Sequence, residues 1–192
     1  MRVIGLAGRS GVGKSAVARA LTSRDGVERI DLDSVAWETY RRGTPTFDRL
    51  VARFGRGILS ADGSIDRRRL AASALAGSDE RAALEAIVHP AVVEWLRRAI
   101  AEREARDVDV LLVEGALLVH SPHVDRSLFD AIVWLDACDA TRADRLRGAR
   151  RSDHAERVPE PPPDALAGVH RLSAEGTVAQ VAERLVRWIE TL

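Results

Sequence analysis

The sequence is poor in the residues that would mark a special environment. Its 192 residues contain one cysteine, one methionine and one tyrosine. The lone cysteine, Cys138, excludes an internal disulfide framework and a multi-cysteine zinc site. No apolar run has the length of a membrane span, and the opening MRVIGLAGRS is too short in apolar residues for a signal peptide. Net charge is missing as well. Lys+Arg 29 balance Asp+Glu 29, so the chain has no global electrostatic footprint for nucleic acid or an anionic membrane. There is no internal repeat, and the only biased segment is the proline run Pro159-Glu160-Pro161-Pro162-Pro163. Together these absences predict a cytoplasmic protein of a reducing compartment. Small-molecule partners, with no nucleic acid and no membrane, and a monomer or weak homo-oligomer are the expectation, a local basic patch remaining open.

Lysine is the most telling scarcity. Of the 29 basic residues 28 are arginine, and the single lysine, Lys14, lies inside a glycine-rich stretch. Lysine and arginine are not interchangeable where a compact point charge must fit against phosphate oxygens.

What is present is enough for a globular core: 46% hydrophobic residues at a mean hydropathy of −0.13. Arg2 to Ala7 reads as a short apolar strand, and Lys14 to Ser23 as an amphipathic helix. A second strand, Val27 to Leu32, ends in Asp31-Leu32-Asp33 and in the simplest topology lies beside the first. Helical patterns then follow one another to about Arg106, separated by Gly43-Thr44-Pro45, Asp62-Gly63-Ser64 and Gly77-Ser78, and His89-Pro90 by itself reads as a helix start with proline at the first position. Strand chemistry returns at Val108 to Val113, Ala131 to Leu135 and Val169 to Leu172, with helices over Ala140 to Arg151 and Val178 to Leu192. Alternating strands and helices predict an α/β fold built on a parallel sheet covered on both faces. The core is expected over 1–43 and 107–192, with a short lid near 142–165 and an all-helical insertion over 44–106. Trp37, Trp95, Trp134 and Trp188 read as core or pocket wall rather than a stacking platform.

Gly8-Arg9-Ser10-Gly11-Val12-Gly13-Lys14-Ser15 matches G-x-x-x-x-G-K-S/T in full, between a predicted strand and a predicted helix. The glycines let the backbone curl so that the N–H groups from Gly8 through Ser10, Gly11, Val12, Gly13, Lys14, Ser15 and Ala16 turn toward a phosphate. The helix beginning at Lys14 aims its positive end at the same anion. Lys14 is placed to bridge the β- and γ-phosphates and Ser15 to ligate Mg²⁺, which points to a nucleoside triphosphate such as ATP.

The acceptor side is carried by acids and arginines. Asp31 and Asp33 end the second strand, where ligand chemistry gathers in open α/β sheets, and a carboxylate there can take the proton of an attacking hydroxyl. Asp33 or Ser34 could equally cap the following helix. Glu114 follows an apolar strand in the place of an acidic Mg²⁺-associated group, and reads equally as an ordinary acidic residue at a strand end. Arg142, Arg145, Arg147, Arg150 and Arg151 read as the face of a lid helix that closes on triphosphate charge, or as a solvated face.

With these residues placed, the chain resembles the dephospho-CoA kinase family, which phosphorylates the ribose 3′-hydroxyl of dephospho-CoA with ATP. The resemblance rests on the glycine loop, on Ile30-Asp31-Leu32-Asp33, and on Gly63-Ser64-Ile65-Asp66-Arg67 with Leu70. It is extended by Val88-His89-Pro90 and Glu114-Gly115-Ala116-Leu117-Leu118. It implies Asp33 as general base, Lys14 and Arg145 as the cations of the transfer, and ATP with Mg²⁺ at the loop. It also implies that Asp31, Asp66, His89, Glu114 and Leu117 meet the acceptor, within a CoA-binding helical domain over 44–106. Arg142 stands where the family has Gln, and Ala174-Glu175-Gly176-Thr177 lacks the family's Asn. A kinase for another small acceptor, or a nucleotide-binding paralogue without catalysis, are the alternatives.

Overall fold

The computed structural model describes residues 1–148, 161 and 163–192. Arg150, Arg151 and most of the predicted lid lie outside the described residues. The chain forms two compact units. The first comprises Met1–Asp31, Ile100–His120 and Arg126–Leu192, and the second Leu32–Ala99 with Ser121–Asp125. Among the described residues no helix is long and apolar enough to cross a membrane.

The first unit is a five-stranded, all-parallel sheet. Its strands are β1 (Arg2–Gly8), β2 (Val27–Asp31), β3 (Val110–Glu114), β4 (Ala131–Asp136) and β5 (His170–Ser173), in the order β2-β3-β1-β4-β5. The expected neighbour relation of β1 and β2 is therefore overturned, because β3 lies between them. The reason is in the side chains. Val110–Glu114 is nearly all apolar and buried, which suits a slot covered on both faces. Val27–Asp31 carries Glu28, Arg29 and Asp31 and keeps one fully buried residue, which suits an edge.

Helix α1 (Lys14–Leu21) packs on α8 (Val178–Ile189), closing one layer over Ile4, Leu6, Leu112, Val133 and Leu135. A reciprocal box of Thr177 and Gln180 caps α8, each accepting from the other's backbone N–H. Two further helices belong to this unit, the short α6 (Leu117–His120) and α7 (Asp139–Gly148).

The second unit is all-helical over its elements: α2 (Leu32–Thr39), α3 (Pro45–Phe54), α4 (Arg67–Ala74) and most of α5 (Ser78–Glu104). Thr44 caps α3 by accepting from Phe47 N at 3.1 Å, with Pro45 at the first helical position. The expected helix start at His89-Pro90 is overturned, since α5 runs through Pro90 as one helix of 27 residues. Pro90 forfeits the bond to the carbonyl of Ala86, at a cost of about 3 kcal/mol. Burial of Ile87, Val88, Val92, Val93 and Leu96 on either side offsets that loss.

Candidate active site

The glycine loop joins β1 to α1 as predicted, and its glycines are needed where they stand. A Cβ on Gly8 would sit 2.7 Å from the Leu135 carbonyl oxygen, and one on Gly11, at φ +81°, 2.7 Å from that of Arg142. Gly13, at φ 103°, heads α1. The Lys14 ammonium folds over the loop and donates to Gly8 O at 2.7 Å and to Arg9 O at 3.4 Å.

Strand register does the rest. Glu114 pairs with Leu6 on one side and Asp31 on the other, so two carboxylates meet at the carboxyl edge beside the loop. Glu114 is only 2% exposed. It accepts from the Ser15 hydroxyl and forms an ion pair with Arg29. Burial pushes its carboxyl above the usual carboxylate range and the Asp31 charge adds to that. The Ser15 hydrogen bond, Arg29 and Lys14 act in the opposite direction. Ser15, Glu114 and Asp31 thus form a set of hard oxygen donors next to a phosphate loop, which fits Mg²⁺ better than a softer metal.

Two arginines of α7 hold the loop from behind. Arg142, 4% exposed, donates from Nε to Ser10 O at 3.0 Å and pairs with Asp139 at 2.5 Å, and Asp139 also binds Arg9 at 3.0 Å. Arg145 donates to Val12 O at 2.7 Å and to Ala174 O and Gly176 O, both at 2.9 Å. Its charge thus ties the glycine loop to the turn between β5 and α8. The Glu175 carboxylate in that turn accepts from Cys138 N at 2.7 Å and from the Thr141 hydroxyl at 2.8 Å, which hold its carboxyl below the usual range. Leu117 is buried at the start of α6.

In the second unit, Asp33 is exposed in the first turn of α2, two residues beyond Asp31. The helix begins at Leu32, which places Asp33 and Ser34 within its first turn. Asp66 is a helix cap: its carboxylate accepts from Arg68 N at 2.8 Å and Arg69 N at 3.0 Å. His89 hydrogen-bonds through Nδ1 to the Ser121 hydroxyl at 2.8 Å, and burial holds its pKa below the ordinary histidine value.

Arg29, Asp139 and Glu175 are the residues that reading the sequence misses. Each acts on a partner at least 35 positions away or, for Asp139, on Arg9 at 130, so no local pattern reveals them.

The family model described as Dephospho-CoA kinase matches residues 2–158. A dephospho-CoA kinase of Corynebacterium glutamicum is 38% identical over 169 residues, 86% of this chain and 85% of that one. One from Geobacter sulfurreducens is 35% identical over 189 residues, 96% and 95% of the two chains. A crystal structure of a Thermus thermophilus protein superposes with a TM-score of 0.72 at 24% identity, covering 99% of this chain and 96% of that one. The dephospho-CoA kinase from Campylobacter jejuni superposes at 0.62 with 14% identity, over 99% and 96%. Those two likenesses bear on the fold.

Proposed function

The chain belongs to the dephospho-CoA kinase family, and from that premise we propose that it transfers the γ-phosphoryl group of ATP to the 3′-hydroxyl of dephospho-CoA. Family membership makes it a kinase of CoA biosynthesis. The observation that carries the reading at the site is the contact of the Ser15 hydroxyl with a buried Glu114 carboxylate, beside the only lysine of the chain.

In this reading the N–H groups of Gly8 to Ala16 receive the triphosphate, and Lys14 exchanges its carbonyl partners for phosphate oxygens. Ser15, with Glu114 and Asp31, would hold Mg²⁺, which would supply charge neutralisation on the phosphates. Arg142 and Arg145 hold Ser10 O and Val12 O outward, which keeps the N–H groups of the same peptide chain turned inward. The Arg145 guanidinium, 3.7 Å from the position a Gly13 Cβ would take, also offsets charge that builds up in the transfer. Asp33 takes the proton of the acceptor hydroxyl. The new bond joins that oxygen to the γ-phosphorus, the bond from phosphorus to the β–γ bridging oxygen breaks, and ADP leaves. The second unit, with Asp66 and His89, serves the acceptor.

The test is Asp33→Asn, an exposed and isosteric change. ADP release dependent on dephospho-CoA should fall by about 10²–10⁴-fold while ATP binding is retained. Turnover equal to the wild type would remove Asp33 from the role of base. Turnover of another acceptor in place of dephospho-CoA would redirect the substrate assignment.

A further inference from the structure

We propose that Trp37 and Arg67 form the subsite that grips the anionic pyrophosphate of the acceptor. This rests on the reading above. It assigns acceptor contact to two residues of which one, Trp37, reads from sequence only as core or pocket wall.

Asp33, Trp37 and Tyr40 follow one another at i, i+4 and i+7, and so line one face of α2 and its C-terminal turn. Arg67 opens α4. Its guanidinium carbon lies 3.5 Å from the centroid of the Trp37 ring, a close cation–π contact. The ring is steadied by an edge-on contact with Tyr40, at 5.3 Å between centroids and 64° between planes. Tyr40 is itself buried, and burial drives its hydroxyl above its ordinary pKa. The Asp66 carboxylate, spent on Arg68 N and Arg69 N, fixes where α4 begins and therefore where Arg67 stands. Asp66 thus positions the contact rather than making it.

Three properties suit Arg67 to a diphosphate. It is exposed, and among the described residues no carboxylate pairs with it, whereas Arg41, Arg53 and Arg69 are paired with Glu38, Glu80 and Asp66. Held against the indole, its planar fork surrenders little rotamer freedom on binding. The surrounding segment 41–69 holds eight arginines against three aspartates, in a chain of no net charge. One helical turn separates Trp37 from Asp33 on the same face. An acceptor with its hydroxyl at Asp33 therefore meets Arg67 with the group one ribose away, which in dephospho-CoA is the 5′-pyrophosphate.

The experiment is calorimetric titration of the full chain with dephospho-CoA and, separately, with ATP. Arg67→Ala should weaken dephospho-CoA binding by about tenfold to a hundredfold and leave ATP affinity within twofold of the wild type. Arg67→Lys, which keeps the charge but loses the planar fork, should fall between the two. Trp37→Leu should weaken dephospho-CoA binding less than Arg67→Ala does. Arg49→Ala, removing an exposed arginine of α3, should stay within twofold. Unchanged binding in Arg67→Ala, an equal loss in Arg49→Ala, or an equal loss of ATP affinity would each overturn the subsite, as would a wild type that does not bind dephospho-CoA. Binding that depends on Arg67 without phosphorylation would instead overturn the reaction and leave the subsite standing.

Discussion

Adding one methyl group at Gly11 should damage the protein by a calculable amount. Gly11 is at φ +81°, where an L-residue carries a penalty of about 1–2 kcal/mol. Its new Cβ would also meet the Arg142 carbonyl oxygen at 2.7 Å and Leu146 Cγ at 2.8 Å. Both neighbours are fixed in α7, and Leu146 is 6% exposed. Overpacking of that kind adds about 1–3 kcal/mol, so the total is about 2–5 kcal/mol. For a chain of this length that corresponds to a fall in Tm of roughly 4–20 °C. If the loop shifts to escape the contact, the N–H groups of Gly11 and Val12 turn away and ATP affinity drops instead. Thermal unfolding and ATP titration of Gly11→Ala read the two outcomes. Gly148→Ala is the matched control. Among the described residues nothing lies within 4 Å of its Cβ, its φ is outside the left-handed region and it ends α7. That change should stabilise by about 0.5–1 kcal/mol. A Gly11→Ala protein equal to the wild type in both stability and ATP affinity would refute the packing argument.

Two further perturbations address the site. The raised Glu114 carboxyl protonates at a pH above the usual carboxylate range, so affinity for Mg²⁺ with ATP should weaken as pH falls toward that raised value. Glu114→Gln should abolish this acid limb. Because the folded pKa is the higher one, stability linked to Glu114 is full below the unfolded value and is lost as pH rises through the folded one. The stability of wild type relative to Glu114→Gln should therefore fall with rising pH, as measured by denaturant titration at several pH values. Asp66→Ala removes the cap of α4 and should cost about 0.5–2 kcal/mol in unfolding experiments, with weaker dephospho-CoA binding because Arg67 loses its anchor. Asp66→Asn should recover most of both.

How much of this is legible in the sequence follows the range of each interaction. The glycine loop is a local object: eight consecutive residues, flanked by an apolar strand and an amphipathic helix, specify it completely. The carboxylates Asp31 and Glu114 are legible as strand-end acids, but their meeting is not, because it depends on β3 entering between β1 and β2. That order becomes readable only by comparing burial demand, the apolar Leu111-Leu112-Val113 against the charged Glu28-Arg29. Pro90 misleads for a related reason, since the local rule against interior proline is outweighed by long-range packing of both halves of α5. Asp66 carries a motif, yet only the structure assigns its carboxylate to a helix cap and leaves the exposed cation to Arg67. Arg142 and Arg145 read as one arginine-rich helix face, and only their carbonyl partners at Ser10, Val12, Ala174 and Gly176 reveal that they brace the loop.

The most direct test is to incubate the purified chain with ATP, Mg²⁺ and dephospho-CoA, and to locate any added phosphate by fragmentation mass spectrometry. The account predicts a product heavier by one phosphoryl group, carried on the ribose 3′-oxygen and formed together with ADP. ATP that binds but leaves dephospho-CoA unmodified, or a phosphate placed elsewhere on it, would contradict the account.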